Sequence, residues 1–559
     1  MTQRAHTVVA SIMVLTGMLF LRIGNAEIQP WDEGLYAMRA LAVVEHDAWM
    51  DQTPYAVGGL YSSTAPPLTS WAIAASMHAL GPSPTSLRLY GILCSALAMA
   101  MLYLVMRRIV TFEHALLAVV VLASALPWWW YARQAMTEVP LMAFTLTALW
   151  SAIKLHEGSK WGAVVFAAAF GSALLTKMAV SLLPVFFVIP VVLHHRRSVG
   201  MVMLCLASIV GGIAIAAPWY MHMATTYGED FALALTVPHV LHVVEGNAGR
   251  VGPLYYVNQL PVAHALTVVA MVYVAAAVVY RRLLPEPRQF AALLSVGWYV
   301  LVMLLFGLSA TKNPHYVVML LPPAVITAVY GLERLLMHAT RRTMVAVYGI
   351  VLATSIWSLI PELRSSVRYV FSDVWVAIGL GLMAAMIVVP WFIPRRGVDR
   401  AAVSLFKPVV YGVCAAMVVR LLWISLQGHP AEIRGGREVA RVMREGSARA
   451  FDYLYHRHNG GDAFNPQLDW YLHGWMSGWS ITKSYTPMAL PVEVDATLDD
   501  VQRTASQASG TYVVYYHRGN ETYVQAVTEA LSSSHRRVQL DGAPHYALYR
   551  RMASGRAPY

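Results

Sequence analysis

Long apolar stretches alternate with short polar segments over the first three quarters of the chain. At about 20 apolar residues for each crossing of a bilayer, they predict about thirteen membrane-spanning helices. The predicted spans are 7–24, 86–106, 114–130, 135–153, 161–175, 178–193, 200–217, 262–280, 290–308, 316–332, 343–360, 374–393 and 404–424. The fifth and sixth divide one apolar run, because Thr176 and Lys177 interrupt it. The pattern predicts a polytopic α-helical membrane protein.

Two of the segments that connect these spans are long, 25–84 and 218–261. In the first, the stretch DEGLYAMRALAVVEH, which begins at Asp32, repeats its apolar residues at helical spacing. This predicts a helix that lies along the membrane surface. A second short helix is expected at 67–80, after a pair of prolines. We expect the long loops to cover a cavity at one end of the helical bundle.

The composition turns polar and charged after about Gln427. We therefore divide the chain into a transmembrane domain, 1–425, and a soluble α/β domain, 426–559. The elements predicted for the second domain are a helix near 433–449, a strand at 511–516, a helix at 521–533 and two closing strands, RRVQL and HYALYRR. After an odd number of spans, this domain should lie on the side opposite the N-terminus.

The charge pattern orients these predicted spans. The chain has 559 residues, of which 57% are hydrophobic and 13% charged, and its net charge is +11. The segment 25–84 holds a single Lys or Arg, Arg39, among several acids, whereas the loops after even-numbered spans are rich in Arg and Lys. The positive-inside rule then predicts a cytoplasmic N-terminus and places the long loops and the C-terminal domain on the opposite, exported side of the membrane. We expect a monomer in contact with membrane lipids, and no nucleic-acid partner.

Ionisable groups at the membrane boundary are costly and are therefore candidates for function. Asp32 and Glu33 stand at the start of the predicted surface helix, and Glu138 stands where the fourth span leaves the exported face. Such acids either cap a helix, gaining roughly 0.3–1 kcal/mol from its dipole, or act as a general base or orienting carboxylate.

Basic or titratable groups also occur in the predicted exported loops, and a phosphate leaving group needs partners of this kind. They are Arg133, Lys177, His239, His242, Arg250, Lys312 and His315. Taken singly, each is better explained as a lipid-headgroup anchor, but together with the acids they form a set of both signs on one face. The sequence predicts no metal site and no cofactor, because its His and Cys spacing is unlike that of zinc sites and it has no Gly-rich nucleotide loop.

Several motifs resemble those of the GT-C membrane glycosyltransferases. They are the carboxylate pair after the first span, STAPPLTSW, TEVPLMAF, LLTKMAVSLLP, PWYMHMATTYGEDF and ATKNPHYVVMLLPP, in that order over residues 20–330. The pattern is most similar to the lipid A aminoarabinose transferases and to the bacterial dolichyl/polyprenyl-phosphate-mannose protein mannosyltransferase-like family. The resemblance implies a GT-C fold and transfer, with inversion, of a sugar from a polyprenyl (undecaprenyl) phosphate carrier to lipid A, another glycolipid or another envelope acceptor.

The resemblance also assigns roles to residues. Asp32 matches the catalytic carboxylate of the first loop, Glu33 matches its neighbour, and Glu138 stands where the family usually has Asp. The residues implied to bind substrate or phosphate are Lys177, Arg250, Lys312, His315 and Tyr316, and we expect Tyr36 and Arg133 to join them. Two departures are visible: Leu35 replaces a usual Arg, and Ala65 replaces the lysine of a KPP motif. Phosphate binding must then depend on other basic groups.

Three other functions fit parts of the pattern. A lipid-linked sugar transporter or flippase would also have many spans, but its charges would lie near the midplane and an inverted repeat would be expected. An inactive scaffold is suggested by Leu35 and Ala65. An oligosaccharide ligase would move a preformed glycan from a diphosphate carrier.

Overall fold

Helices make up most of the computed structural model. It describes residues 3–29, 31–55, 60, 63–245, 255–256, 270–271, 286–309, 312–338, 411, 414–415, 417–426, 435–446, 452–455, 466–472, 492–493, 511–515, 525 and 528–552. The helices before residue 340 are α1 (Gln3–Phe20), α2 (Asp32–His46), α3 (Leu68–Leu80), α4 (Pro84–Ile109), α5 (Phe112–Ser124), α6 (Leu126–Ala132), α7 (Glu138–His156), α8 (Trp161–Leu174), α9 (Leu183–His194), α10 (Val199–Glu245), α11 (Glu286–Leu308) and α12 (Val317–His338).

Five helices in the described part are long and apolar enough to cross a membrane: α4, α7, and segments of α10, α11 and α12. A sixth crossing results if α5 and α6, which meet at 63°, form one bent span. The prediction of a polytopic helical membrane protein is confirmed. The predicted spans 343–360 and 374–393 lie outside the described residues, as does 262–280 except for two positions, so the number thirteen stays a prediction.

The division predicted at Thr176 and Lys177 is observed. Helix α8 ends at Leu174, and a short 3₁₀ turn, Ala179–Leu182, leads into α9. Both neighbouring helices are shorter than the membrane-crossing group. The break places Lys177 in a turn, where its side chain can leave the bundle wall.

The region predicted as a second long loop, 218–261, is helical over its first part. Helix α10 continues from the predicted span to Glu245, with a break at Gly228, whose φ of 54° lies in the left-handed region. Residues 246–254 lie outside the described part. A glycine adopts that backbone conformation without steric cost, so α10 is two helical segments joined at this position.

Two glycines allow α8 and α10 to pack closely. A Cβ atom added to Gly212 would lie 2.6 Å from the Phe170 ring and 3.1 Å from the Ala167 carbonyl oxygen. One added to Gly171 would lie 2.7 Å from the Ile215 Cβ atom. Small residues at such crossings let two backbones approach, as is common between membrane helices.

The first long loop forms two packed helices, as predicted. Helices α2 and α3 bury apolar side chains against each other, among them Met38, Leu41, Ile73 and Met77. The Leu68 backbone N–H donates to the Leu175 carbonyl oxygen at 2.9 Å, which ties α3 to the break after α8. The loop is therefore held against the bundle near Lys177.

The C-terminal part contains a five-stranded sheet in the order β2-β1-β3-β5-β4. The strands are β1 (Asp452–Tyr455), β2 (Val492–Glu493), β3 (Thr511–Tyr515), β4 (His535–Val538) and β5 (Tyr546–Arg551), with helices α13 (Gly436–Glu445) and α14 (Pro466–Leu472). Strand β1 runs parallel to β2 and β3, whereas β5 is antiparallel to β3 and β4. The predicted strands are observed as β3, β4 and β5. The sequence interpretation missed β1, β2 and α14.

This C-terminal part is attached to the first long loop. The Gly435 backbone N–H donates to both carboxylate oxygens of Glu27, at 3.2 and 3.0 Å, and the Ile28 N–H donates to the Tyr471 hydroxyl at 2.9 Å. Trp470 and Tyr471 also pack on the α2 and α3 cluster. The C-terminal part and α2 therefore lie at the same end of the helical bundle.

Candidate functional site

Asp32 is the first residue of α2, where the helix dipole is positive. The residue before it, Trp31, has a left-handed φ of 61°, which is strained for a residue with a side chain. The Leu35 N–H donates to the Trp31 carbonyl oxygen at 2.8 Å and starts the helical hydrogen bonding. This sharp entry leaves Asp32 partly buried at the start of the helix.

Glu33 occupies a different environment from its neighbour. Its carboxylate is fully buried and pairs with Arg88 of α4, with Nε–Oε1 at 2.7 Å and Nη2–Oε2 at 2.9 Å. The Gln29 and Ala135 backbone N–H groups donate to the same oxygens at 2.6 and 3.1 Å. These four donors leave little capacity for a substrate, so the arrangement supports a positioning role for Glu33 in place of the predicted catalytic one.

Three predicted residues from distant parts of the chain meet at the start of α7. Glu138 is 1% exposed, and its Oε1 atom accepts from the Lys177 ammonium and lies 3.8 Å from the His315 Nε2 atom. The other oxygen, Oε2, is buried and has no hydrogen-bond partner among the described residues. His315 belongs to a 3₁₀ turn, Pro314–Tyr316, that precedes α12. Glu138 and Lys177 form an ion pair, and the His315 ring lies beside it.

Asp32 faces this cluster. Burial raises the pKa of the Asp32 carboxyl above its ordinary value, while the charges of His315 and Lys177 lower it and that of Glu138 raises it. Burial alone would lower the pKa of Lys177, but Glu138 and Tyr316 reverse the effect, so the Lys177 pKa is raised and its ammonium stays charged. The site thus combines a carboxylate of increased basicity with a fixed cation.

Tyr36 lies between these groups and a further buried cation. Burial, with the Asp32 charge, raises the pKa of Tyr36 to about 12, so its hydroxyl keeps its proton. The Arg39 guanidinium is 5.8 Å from the Tyr36 ring centroid. Arg39 donates through Nη2 to Gln52 at 2.9 Å and to the Ala65 carbonyl oxygen at 2.8 Å. Its Nε and Nη1 groups are buried and have no partner among the described residues.

Arg39 was not predicted from the sequence as a site residue. A signal was available, because Arg39 is the single Lys or Arg in an acidic loop. Its side chain ends at Ala65, the position where the resembling family has a lysine. The Arg39 guanidinium therefore lies beside the Ala65 backbone.

Aromatic rings form one wall of the site. The Lys177 Nζ atom lies 5.4 Å from the Tyr316 ring centroid, and the Phe306 ring stacks on Tyr316 at 5.1 Å. His315 contacts the Tyr131 ring edge to face at 6.3 Å. Tyr131 and Phe306 were not predicted as site residues. Such rings can pack against a sugar or a lipid tail.

Two predicted phosphate ligands have other partners. Arg133 is buried, donates to the Leu19 and Leu21 carbonyl oxygens at 2.6 and 2.8 Å, and lies over the Trp129 ring at 5.0 Å. The Lys312 ammonium donates to the Phe306 and Gly307 carbonyl oxygens at 2.6 and 2.8 Å and also to Ser309, so it caps the C-terminal end of α11. Arg250 lies outside the described residues, as do the side chains of His239 and His242.

A separate cavity of about 510 Å³ lies between the C-terminal part and the segments that follow α1 and begin α4. Arg437, Arg441 and Arg444 of α13 line one side, and Gly24 and Pro84 line the other. The Trp470 and Tyr471 rings complete its surface. Glu445 also lines the cavity and pairs with Arg441 at 2.7 Å, so Arg437 and Arg444 are the main cationic groups beside the aromatic rings.

Residues 64–222 match a protein family described as dolichyl-phosphate-mannose-protein mannosyltransferase. The match includes Glu138 and Lys177 but not Asp32. A curated relative, the undecaprenyl phosphate-alpha-4-amino-4-deoxy-L-arabinose arabinosyl transferase of Yersinia enterocolitica, is 22% identical over 167 residues. That alignment covers 30% of this chain and 30% of the relative's length.

Solved structures of ArnT from Cupriavidus metallidurans are similar over nearly the whole chain. The structure bound to undecaprenyl phosphate gives a TM-score of 0.67 at 18% identity and covers 99% of each chain. The apo structure gives 0.66 at 17% identity and covers 100% of each. The chain therefore has the fold of these proteins, and the resemblance to GT-C membrane glycosyltransferases that the motifs indicated is confirmed.

Proposed function

We propose that this protein is a membrane glycosyltransferase that moves a sugar from a polyprenyl (undecaprenyl) phosphate carrier to an acceptor at the periplasmic face of a bacterial inner membrane. The observation that carries the proposal is the convergence of Asp32, Glu138, Lys177 and His315. These residues come from separate elements and meet at one end of an apolar bundle. The fold shared with the undecaprenyl-phosphate-bound structure supports the same class of donor.

The chemistry follows from the two carboxylate environments. Asp32, whose pKa is raised by burial, accepts the proton of an acceptor hydroxyl as its oxygen attacks the anomeric carbon. The bond between that carbon and the phosphate oxygen breaks, and the polyprenyl phosphate leaves with the electron pair. A single displacement of this kind inverts the anomeric centre. Glu138 orients Lys177 and His315 toward the leaving group.

The phosphate is held, in this proposal, by Lys177 and Arg39. Lys177 is a charged ammonium at the site, and Arg39 has two buried N–H groups with no partner among the described residues. Buried N–H groups without acceptors cost free energy, which an anionic oxygen recovers through charge-assisted hydrogen bonds. Arg39 then replaces the lysine that the resembling family has at the Ala65 position.

We further propose that the acceptor is an anionic glycolipid such as lipid A. The support is the cavity of about 510 Å³ beside α13, whose arginines and aromatic rings suit a phosphorylated sugar with acyl chains. Arg444 donates to the Tyr471 carbonyl oxygen at 2.6 Å, and Arg437 lies 5.7 Å from the Tyr471 ring centroid, so both arginines are held at the cavity wall.

The first test compares wild type with Asp32→Asn in purified, membrane-reconstituted protein. The measurement is release of polyprenyl phosphate from a panel of lipid-linked sugars. We expect loss of release by roughly 10²- to 10⁴-fold, the usual contribution of a general base, with unchanged donor binding. Glu45→Gln, an exposed acid on the same helix, is the control and should behave as wild type.

Glu33→Gln tests the positioning role of Glu33 by thermal unfolding. Because it leaves the buried Arg88 guanidinium without its counter-charge, we expect a loss of stability of about 3–5 kcal/mol, seen as a lower unfolding temperature. Wild-type protein that releases nothing from any donor, or an Asp32→Asn variant that matches it, would contradict the proposal and favour a flippase or an inactive scaffold.

A further inference from the structure

Three histidines meet at the end of the bundle opposite Asp32. His156 ends α7, His194 ends α9, and His195 follows directly. One ring nitrogen of each residue lies within 4.8 Å of the others. At a rise of 1.5 Å per residue, α7 separates His156 from Glu138 by about 27 Å. This cluster is therefore distinct from the proposed transfer site.

The rings are already arranged around one point. The ring centroids of His156 and His194 are 4.4 Å apart, and those of His194 and His195 are 4.8 Å apart. Phe290 of α11 stacks flat on His156 at 3.6 Å and fixes the plane of that imidazole. Two side chains from one helix end and one from another thus share a small volume.

The hydrogen bonding of two of these histidines, His195 and His156, defines which of their ring nitrogens can face a metal ion. The His195 Nε2 atom lies 3.1 Å from the His156 carbonyl oxygen, so it serves as a donor and leaves Nδ1 as the acceptor nitrogen. A backbone carbonyl that receives the second ring N–H is a usual way of orienting a metal-bound histidine. The His156 Nδ1 atom is buried and has no hydrogen-bond partner among the described residues.

We propose that His156, His194 and His195 bind a divalent transition metal ion, with Zn²⁺ as the physiological choice. Imidazole nitrogens suit zinc, and three of them with one water complete a tetrahedral shell. With zinc–nitrogen bonds of about 2.0 Å, the nitrogens would be about 3.3 Å apart, which small ring rotations achieve from the present spacing. The metal would tie the C-terminal end of α7 to that of α9.

The surrounding charges are compatible with a bound cation. Arg196 and Arg197 follow His195, but both are exposed, where salt and water screen their repulsion. Glu157, next to His156, carries the nearest carboxylate and pairs with Arg108 at 3.0 Å and with Lys154 at 2.8 Å. The proposal does not depend on the transfer activity, because no residue is shared between the two sites.

The test uses the full chain in detergent, purified without a polyhistidine tag and stripped with a chelator. Zinc content after dialysis against Zn²⁺, and the visible absorption of added Co²⁺, report binding and geometry. We expect one ion per chain, a tetrahedral Co²⁺ spectrum and a Zn²⁺-dependent rise in unfolding temperature. His194→Ala should weaken binding by more than about 100-fold, since even outer-shell partners are worth about 10- to 100-fold.

His6→Ala, at an exposed histidine of α1, is the matched control and should keep the zinc content and the temperature shift. His194 is exposed, so its replacement should not prevent folding. His195→Asn provides a second variant that removes the ligand at similar size. Wild-type protein that retains no zinc, or a His194→Ala variant that retains the wild-type amount, would overturn the proposal.

Discussion

At the scale of single residues, the adjacent carboxylates of Asp32 and Glu33 lie in different surroundings. Successive residues on a helix point about 100° apart, so Glu33 turns toward α4 and meets Arg88, while Asp32 turns toward α7 and α12. The first is neutralised by four donors, and the second keeps a raised pKa beside a charged cluster. One helix end thereby supplies both an anchor, Glu33, and the proposed base, Asp32.

The cluster around Asp32 should tune the pH dependence of transfer. Asp32 acts as a base only when ionised, and its pKa is raised above the ordinary value of 3.8. As the pH falls, activity should therefore be lost at a pH above 3.8. Lys177→Met removes a charge that lowers this pKa, so the acidic limb of kcat/KM should move to higher pH. Glu138→Gln removes a charge that raises it and should move the limb to lower pH. The control is Lys154→Met, at the opposite end of α7, which should leave the acidic limb of kcat/KM unchanged. If the Lys177 and Glu138 variants both shifted this limb in the same direction, the assignment of Asp32 as the base would be contradicted.

Arg39 should matter for donor binding. Arg39→Leu removes the proposed phosphate ligand, and we expect the affinity for polyprenyl phosphate to fall by about 10- to 100-fold, as for a hydrogen bond to a charged group worth about 1.5–3 kcal/mol. Arg39→Lys keeps the positive charge and should recover part of the affinity for polyprenyl phosphate. Equilibrium binding in nanodiscs measures the effect, with Arg108→Leu at the opposite end of the bundle as control. Equal affinity of Arg39→Leu and wild type would remove Arg39 from the site.

Site residues could be predicted only where the local sequence carried a signal. Asp32, Glu138 and Lys177 stand out because charges interrupt apolar runs. Arg39 carried a signal as the single Lys or Arg of an acidic loop, whereas the cluster of three histidines becomes visible only when distant segments are folded together. Lys312 donates to main-chain carbonyl oxygens at the end of α11. These contacts could not be predicted, because the composition does not show at which residue α11 ends.

At the scale of elements, hydrophobic periodicity predicted the helices better than their ends. Helices α2 and α3 and the break at Lys177 agree with expectation, because each rests on a strong local pattern. Helix α10 continues far beyond its apolar span, since leaving the membrane core does not itself end a helix. Strands β1 and β2 are short, and so little periodicity is available to identify them.

Alanine substitutions at two glycines, one at the crossing of α8 and α10 and one in α1, should have opposite effects on stability. Gly212→Ala should destabilise the protein by about 1–3 kcal/mol, because its methyl group would overlap the Phe170 ring. Gly17→Ala in α1 meets nothing within 4 Å and should stabilise by roughly 0.5–1 kcal/mol through reduced backbone entropy. Thermal unfolding in one detergent compares both with wild type. A Gly212→Ala variant as stable as Gly17→Ala would contradict the close crossing.

At the scale of the whole molecule, the C-terminal part supports the loop that carries Asp32. Combining Glu27→Ala with Tyr471→Phe removes hydrogen bonds worth about 2–4 kcal/mol together. We expect faster hydrogen exchange at the α2 amides and lower release of polyprenyl phosphate. Arg536→Ala, exposed on β4, is the control. Unchanged exchange in α2 would show that the contact does not support the site.

The contacts of the first long loop also form in a fixed order during synthesis of the chain. A ribosome releases the chain from its N-terminus, yet Glu33 must wait for Arg88, 55 residues later, and Glu27 for Gly435, 408 residues later. A nascent chain can therefore hold an inserted bundle while Asp32 is still poorly positioned. Under the proposed function, transfer begins only when synthesis has reached the C-terminal part, so an incomplete chain does not waste the carrier-linked sugar.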